Sequence, residues 1–209
     1  MLLLALGAAA LLAAAPGAGA QTRRPPRDPG DFALIAERGE DGAELVGRRA
    51  PSFTFTRWLR GPERSLEDLR GKVVLVRWWT EGCAYCETTL PGLEALRKRY
   101  GSRGLVVIGA FHPKPPREVP DREILAKADR LGFAGPIAVD ERWETLERWW
   151  LEGHERAFTS ASFLIGRDGV IRWVHPGGEY HPSTDAAHAR CDLEYKGLVA
   201  AIERALQSS

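Results

Sequence analysis

Two continuous runs of apolar residues mark the centre of the chain. Val73–Trp79 and Leu105–Phe111 are rich in β-branched and aromatic residues and show little alternation with polar positions. A strand that is covered on both faces has this pattern, so both runs are predicted to be central strands of a sheet. From Cys83 onward, between the two runs, apolar residues return every three or four positions from Leu90 to Tyr100, which predicts an amphipathic helix.

Shorter segments of the same two kinds make up the rest of the chain. The predicted strands are residues 53–56, 136–139, 162–165 and 170–174, and the predicted helices are residues 121–131, 142–151 and 192–206. Strand–helix–strand connections imply parallel neighbours with right-handed crossovers, and the final hairpin, which turns at Arg167-Asp168-Gly169, adds antiparallel strands. The predicted fold class is therefore α/β, a mixed β-sheet flanked by helices on both faces.

The beginning of the chain does not share this pattern. Residues 1–20 contain no charged side chain, and their apolar run, residues 2–15, is shorter than the roughly 20 residues of a membrane span. Ala18-Gly19-Ala20 then has a small-x-small pattern, so residues 1–20 are predicted to be a secretory signal peptide, with an uncleaved anchor as the alternative. Residues 21–44, which begin rich in Pro and Arg, are predicted to be a solvated linker, and residues 45–209 to form the domain. The protein is thus expected to be exported, to the periplasm or another extracytoplasmic space, and to meet a membrane only through an uncleaved signal segment.

The overall charge narrows the class of partner. The 209 residues contain 29 Lys and Arg against 28 Asp and Glu, a formal net charge of +1. So balanced a chain lacks the basic excess that binds nucleic acid, and no nucleic-acid partner is expected. Three cysteines are too few for a small disulfide-stapled protein. The function of the cysteines must therefore be inferred from their positions along the chain.

Cys83 and Cys86 stand where the first central strand gives way to the helix. Unpaired N–H groups and the helix dipole at such a junction favour a thiolate over a thiol. Cys83 is therefore predicted to attack a disulfide, and Cys86, one turn later, to resolve the mixed disulfide. The alternatives are a structural disulfide and half of a zinc site, although the sequence holds no second C-x-x-C to complete the latter.

The segment Val76-Arg77-Trp78-Trp79-Thr80-Glu81-Gly82-Cys83-Ala84-Tyr85-Cys86, with Pro91 in the following helix, resembles the active site of thioredoxin-like proteins. Among these it is most similar to exported proteins of the TlpA and DipZ types, and the resemblance covers about residues 45–206. It implies a thioredoxin-like fold and disulfide exchange with the thiols of partner proteins, supported by a redox partner protein. No organic cofactor is expected, because the dithiol itself carries two electrons, and no metal is assigned to the site.

Arg77 departs from the family pattern, since many thioredoxins carry a buried acid six residues before the first cysteine. If the Arg77 side chain faces the cysteines, its charge would stabilise a thiolate and move the pair toward the oxidising end of the redox scale. If it pairs with Glu81 or Glu87, or reaches solvent, it would not. Arg77, Thr80 and Glu81 are the residues expected to tune the thiolate.

A second departure concerns the loop before the predicted strand at residues 162–165. Thr159 and Ser160 stand where relatives have a cis-proline loop that contacts the substrate, so this pair is predicted to form the substrate loop. Its peptide bond is predicted to be trans, because a non-proline cis bond costs about 2.5–4 kcal/mol. The Pro-rich loop at residues 112–120 follows the second central strand and is expected to border the same site.

Two other functions remain open from the sequence. Thr80-Glu81-Gly82-Cys83 also fits the T-x-x-C motif of peroxiredoxins, although Val76 replaces the proline that those enzymes carry four residues before the threonine. Thiol peroxidase is therefore one alternative. The other is a thioredoxin-like module that binds a metal or a thiol without turnover.

Metal-binding residue types gather late in the chain, at His175, His181, His188 and Cys191. A soft metal ion such as zinc or copper could bind His188 and Cys191 on one helical face. Solvated histidines and a half-buried cysteine are the alternative interpretation. The sequence does not decide between the two.

Overall fold

The computed structural model describes Gly39 and residues 41–208. The expected signal peptide and most of the expected linker lie outside these residues. The strands are β1 (Arg57–Arg60), β2 (Val73–Trp79), β3 (Leu105–Phe111), β4 (Ile137–Val139), β5 (Ser162–Ile165) and β6 (Ile171–His175). The helices are α1 (Ala84–Tyr100), α2 (Asp121–Arg130), α3 (Glu144–Leu146, continued by a π-helical turn, Glu147–Leu151) and α4 (Ala189–Gln207), with short 3-10 turns at Ala43–Leu45, Gly101–Arg103 and Ala186–His188.

All six strands form one sheet in the order β1-β4-β3-β2-β5-β6. β2, β3 and β4 run parallel, as the helical connections between them require, whereas β1, β5 and β6 pair antiparallel with their neighbours. The mixed sheet predicted from the sequence is confirmed. β2, which leads to the cysteines, lies inside the sheet between β3 and β5 and is buried along its whole length.

Helical segments cover both faces of the sheet. Leu75 and Trp79 of β2 pack against α1, α2 and α4 on one face, in the same apolar cluster as Cys86. Trp78 faces the other side, where it packs with the turn that follows α3 and with the chain preceding β2. This alternation along β2 is the ordinary consequence of the strand's pleat. Among the described helices, none combines the length and the apolar character needed to cross a bilayer.

The prediction of a strand at residues 53–56 is wrong, because the first strand begins at Arg57. The backbone N–H of Thr54 donates to the Thr145 hydroxyl at 2.9 Å instead of to a neighbouring strand. Phe53 stacks on Trp149 with ring centroids 5.5 Å apart. The alternating apolar positions therefore reflect packing of an extended segment against the α3 region.

The helix predicted at residues 142–151 starts later and is less regular in the structure. Trp143 has a left-handed backbone with φ 62°, so the regular helix starts only at Glu144. After three residues it widens into the π-helical turn, which buries Trp149 and Trp150. Both rings contact Phe163 of β5 edge-on, with centroids 5.3 and 5.9 Å away. The wider turn accompanies the burial of two adjacent indoles.

Candidate active site

Cys83 caps the N-terminus of α1, and Cys86 lies in its first turn. Gly82 has a left-handed φ of 68° immediately before them, and this conformation turns the chain from β2 into the helix. A disulfide joins the two cysteines, with their Cα atoms 5.3 Å apart. The Cys83 Sγ accepts a hydrogen bond from the backbone N–H of Cys86 at 3.2 Å. The helix terminus therefore points an N–H group at the first sulfur, as expected for a site that favours a thiolate.

The two cysteines differ in their access to solvent. Cys86 is completely buried in the core beneath α1, whereas Cys83 is half-buried. Cys83 lines a groove of about 620 Å³, whose walls also include Tyr85, Lys114, Phe158, Thr159 and Ser160. Part of the Pro-rich loop thus borders the cysteines, as the sequence predicted.

Arg77 is completely buried in β2. By the alternation of the strand it points to the same face of the sheet as Leu75, toward α1. Its guanidinium donates to the Gly178 carbonyl at 2.6 Å and to the Ser162 hydroxyl at 3.2 Å, and it lies 5.3 Å from the centre of the Tyr180 ring.

Neither of the acidic partners considered for Arg77 binds it. Glu81 pairs with Arg117, and Glu87 pairs with Lys127 at 2.8 Å. Burial lowers the pKa of the Arg77 guanidinium, with the nearby Tyr180 opposing this effect, yet the ordinary value of arginine is so high that the charge persists at neutral pH. The described residues therefore include an arginine beneath α1 that carboxylates do not neutralise.

Thr80 and Glu81 form the rim of the groove. The Thr80 hydroxyl, itself buried, donates to Glu81 Oε2 at 3.0 Å, and Glu81 Oε1 accepts from Arg117. Glu81 also borders a neighbouring groove of about 560 Å³ with basic side chains from Arg117 to Arg130. That second groove lies beside the cysteines and does not include them. The hydroxyl of Thr80 is thus engaged by a carboxylate.

The substrate loop predicted at Thr159 and Ser160 does lie in the groove that contains Cys83. Its peptide bond is trans, as expected. Thr159 is held by His112, a residue that the sequence did not single out: His112 Nε2 lies 2.9 Å from the Thr159 hydroxyl, and Nδ1 lies 3.0 Å from the Trp79 carbonyl. Because a carbonyl only accepts, Nδ1 carries the proton, and Nε2 accepts from Thr159.

The His112 side chain is neutral, and its two hydrogen bonds connect the end of β2 to the Thr159–Ser160 loop. Burial lowers the pKa of its imidazole to about 3, and the charges of Lys114 and Arg77 act in the same direction against the hydrogen bond to Trp79. His112, Lys114 and Arg117 all belong to the loop at residues 112–120, which the sequence predicted to border the site because it follows β3, whose carboxyl end lies beside that of β2.

Comparison with known proteins places these features in a family. The model of the AhpC/TSA family matches residues 46–174. Protein DipZ of Mycobacterium bovis is 32% identical over 148 residues, which are 68% of this chain and 21% of DipZ, so the chain spans about a fifth of that relative's length. The thiol-disulfide oxidoreductase ResA of Geobacillus kaustophilus is 28% identical over 138 residues, covering 66% of this chain and 73% of ResA.

Solved structures show the same architecture. A thiol-disulfide isomerase from Corynebacterium glutamicum superposes with a TM-score of 0.58 at 25% identity, covering 77% of this chain and 98% of the other. A thioredoxin-family thiol:disulfide interchange protein from Chlorobium tepidum gives a TM-score of 0.55 at 19% identity, covering 76% and 95%. The thioredoxin-like fold expected from the active-site segment is confirmed.

Proposed function

The chain belongs to the AhpC/TSA family, and from this membership and its site we propose that it is a thiol-disulfide oxidoreductase acting on partner proteins through Cys83 and Cys86. One observation carries the proposal. A disulfide at a helix N-terminus joins a cysteine that lines an open groove to one that is completely buried. This asymmetry suits a nucleophile that meets the client and a resolving thiol that is shielded from it.

The reduced pair would transfer two electrons in two exchanges. The Cys83 thiolate attacks one sulfur of a client disulfide, a mixed disulfide forms, and the other client sulfur leaves as a thiolate. The Cys86 thiolate then attacks the Cys83 sulfur, which releases the second client thiolate and leaves the Cys83–Cys86 disulfide. A redox partner protein that donates two electrons would restore the dithiol. Thr159 and Ser160, which line the same groove as Cys83, are proposed to contact the client backbone.

Insulin reduction by the purified full-length protein, with dithiothreitol as the electron source, tests this proposal. We expect the protein to accelerate reduction well above the rate of dithiothreitol alone, and not to accelerate the consumption of hydrogen peroxide by the same reductant. Peroxide consumption without insulin reduction would replace the proposal by the thiol peroxidase alternative. If the protein accelerates neither reaction, the remaining alternative is a thioredoxin-like module without turnover. That result would also contradict the proposal.

Arg77 is proposed to favour the thiolate of the reduced pair. The Glu81 carboxylate on the rim would act in the opposite direction, and the Thr80 hydroxyl donates to that carboxylate. The Arg77 guanidinium is completely buried beneath α1, where it donates to a carbonyl and a hydroxyl and not to a carboxylate. In the reduced protein, the alkylation rate of Cys83 should therefore reach half its maximum below about pH 8.5, the pKa of an unperturbed thiol.

Arg77→Met should raise that alkylation midpoint by about 0.5–1 pH unit, less than the 1–3 units of a charge in direct contact. The direction follows because loss of a positive charge makes the thiolate less favourable. Arg77→Lys keeps the charge and should keep most of the effect. Arg172→Met, on an exposed residue paired with Asp168, is the matched control and should not move the midpoint. An unchanged midpoint in Arg77→Met would exclude this role.

We further propose that the protein acts outside the cytoplasm after cleavage behind Ala20. The support is the uncharged apolar stretch at residues 1–20 and its small-residue end. An oxidising compartment would also allow a Cys83–Cys86 disulfide to persist between encounters. Protein purified from its host should begin at Gln21 by N-terminal sequencing, and an intact Met1 would contradict cleavage.

A further inference from the structure

Four side chains with metal-binding atoms converge away from the groove. They belong to Glu179, His181, His188 and Cys191, and one ligand atom from each lies within 4.8 Å of all the others. Glu179 carboxylate oxygens lie 3.8 Å from His181 Nε2 and 3.9 Å from His188 Nδ1. Cys191 Sγ lies 3.8 Å from His188 Nδ1. These residues come from the segment after β6 and from the start of α4, and a backbone hydrogen bond of 3.3 Å from His181 to Cys191 ties the two together.

The ring of His181 is oriented as a ligand. Its Nδ1 lies 3.2 Å from the Pro182 carbonyl and so carries the proton, because the carbonyl can only accept. This leaves Nε2 with a free lone pair on the side of the cluster. Nε2 is buried and has no hydrogen-bond partner. A histidine whose outer nitrogen binds a carbonyl, while its inner nitrogen faces other donors, has the tautomer that metal ligation requires.

We propose that Glu179, His181, His188 and Cys191 bind one Zn²⁺ ion. Two imidazoles, a thiolate and a carboxylate are all ligand types that zinc accepts. Bond lengths of about 2.0–2.3 Å place the ligands of a tetrahedral ion about 3.3–3.7 Å apart. The cluster is slightly wider than this, so each ligand atom needs to move inward by less than about 1 Å.

Neighbouring side chains orient this cluster and mark where it ends. Glu179 Oε2 accepts from the Thr88 hydroxyl at 2.8 Å, an outer contact that orients the carboxylate and links it to α1. His175, which the sequence grouped with these residues, is not part of the site: its Nε2 lies 2.8 Å from Glu194, and its Nδ1 accepts from the Gly177 N–H at 3.3 Å. Four protein ligands fill a tetrahedral shell, so the ion would have a structural role.

Cobalt and zinc titrations of the full-length Cys83→Ser/Cys86→Ser variant test the proposal independently of redox activity. Cys191 is then the one thiol that remains of the three cysteines in the sequence. We expect one Co²⁺ per chain, with a near-ultraviolet thiolate-to-cobalt absorption band that stoichiometric Zn²⁺ removes. Mg²⁺ should not compete, because it prefers oxygen ligands.

Single substitutions added to this variant identify the ligands. His181→Ala, His188→Ala and Cys191→Ser should each weaken Zn²⁺ binding by at least about 100-fold, the upper end of the loss caused by outer-shell substitutions. His154→Ala, on a half-exposed histidine beside Glu44, is the matched control and should bind normally. In the wild-type disulfide form, Zn²⁺ should raise the melting temperature, and His181→Ala should abolish the rise. A missing thiolate band, or wild-type affinity in Cys191→Ser, would overturn the proposal.

Discussion

Serine in place of Cys83 is expected to reduce the rate of insulin reduction to that of dithiothreitol alone. A serine hydroxyl has no appreciable anionic form at neutral pH and does not attack disulfides, so the first exchange is lost altogether. Cys86 cannot substitute for it, because its side chain is completely buried beneath α1. The measurement is insulin reduction by the purified Cys83→Ser variant. Residual activity near that of the wild type would exclude Cys83 as the nucleophile.

Serine in place of Cys86 should give a different defect. The first attack by Cys83 remains, but no thiol is left to resolve the intermediate, so the variant should accumulate as a mixed disulfide with its client. Non-reducing electrophoresis and mass spectrometry would identify this adduct at Cys83. A Cys83→Ala/Cys86→Ser variant is the control and should form none. Adduct formation at equal levels in both would show that the trapped sulfur belongs to Cys191.

Alanine in place of Gly177 is expected to be the most destabilising small substitution near the site. Gly177 has φ 128°, which side chains rarely adopt, and a Cβ placed there would overlap Phe158 Cβ and lie 2.5 Å from Phe158 Cγ. Phe158 forms a wall of the groove, and its carbonyl accepts from Trp150 Nε1 at 2.7 Å, so it cannot move away freely. Backbone strain and overpacking together should cost roughly 2–6 kcal/mol.

Gly153→Ala separates the two contributions to this cost. Gly153 also has a positive φ, 73°, but a Cβ there would have no atom within 4 Å. We expect it to lose only the backbone part, about 1–2 kcal/mol. Urea denaturation of the oxidised proteins would measure both changes in the free energy of unfolding. Equal losses would contradict a steric role for Phe158.

The parts of the fold that the sequence predicted best are those with local causes. β2, β3 and α1 follow from uninterrupted apolar runs and from a helix period that begins at a capping cysteine. The prediction of a strand at residues 53–56 was wrong because Phe53 stacks on Trp149, almost a hundred positions later. This packing produces the same alternation of apolar and polar residues as a strand. Local patterns do not distinguish these two causes.

The candidate site likewise has residues whose positions the sequence predicted and surroundings that it did not. The positions of Cys83, Cys86 and the Thr159–Ser160 loop follow from the motif and from the strand order. The surroundings of Arg77 do not, because Ser162 and Gly178 approach it from 85 and 101 residues away. The loop that contains His112 was predicted to border the site, but the role of His112 within it was not, since nothing in its sequence neighbourhood indicates that the side chain is buried and neutral.

The chemistry of the residue at position 77 also affects how Cys86 loses its proton. A carboxylate at this point beneath α1 would serve as an internal base for the buried thiol. A guanidinium has no lone pair available for a proton and cannot take that part. Arg77 therefore leaves the proton of Cys86 to another acceptor during resolution, such as the departing sulfur of the client or water that enters the groove.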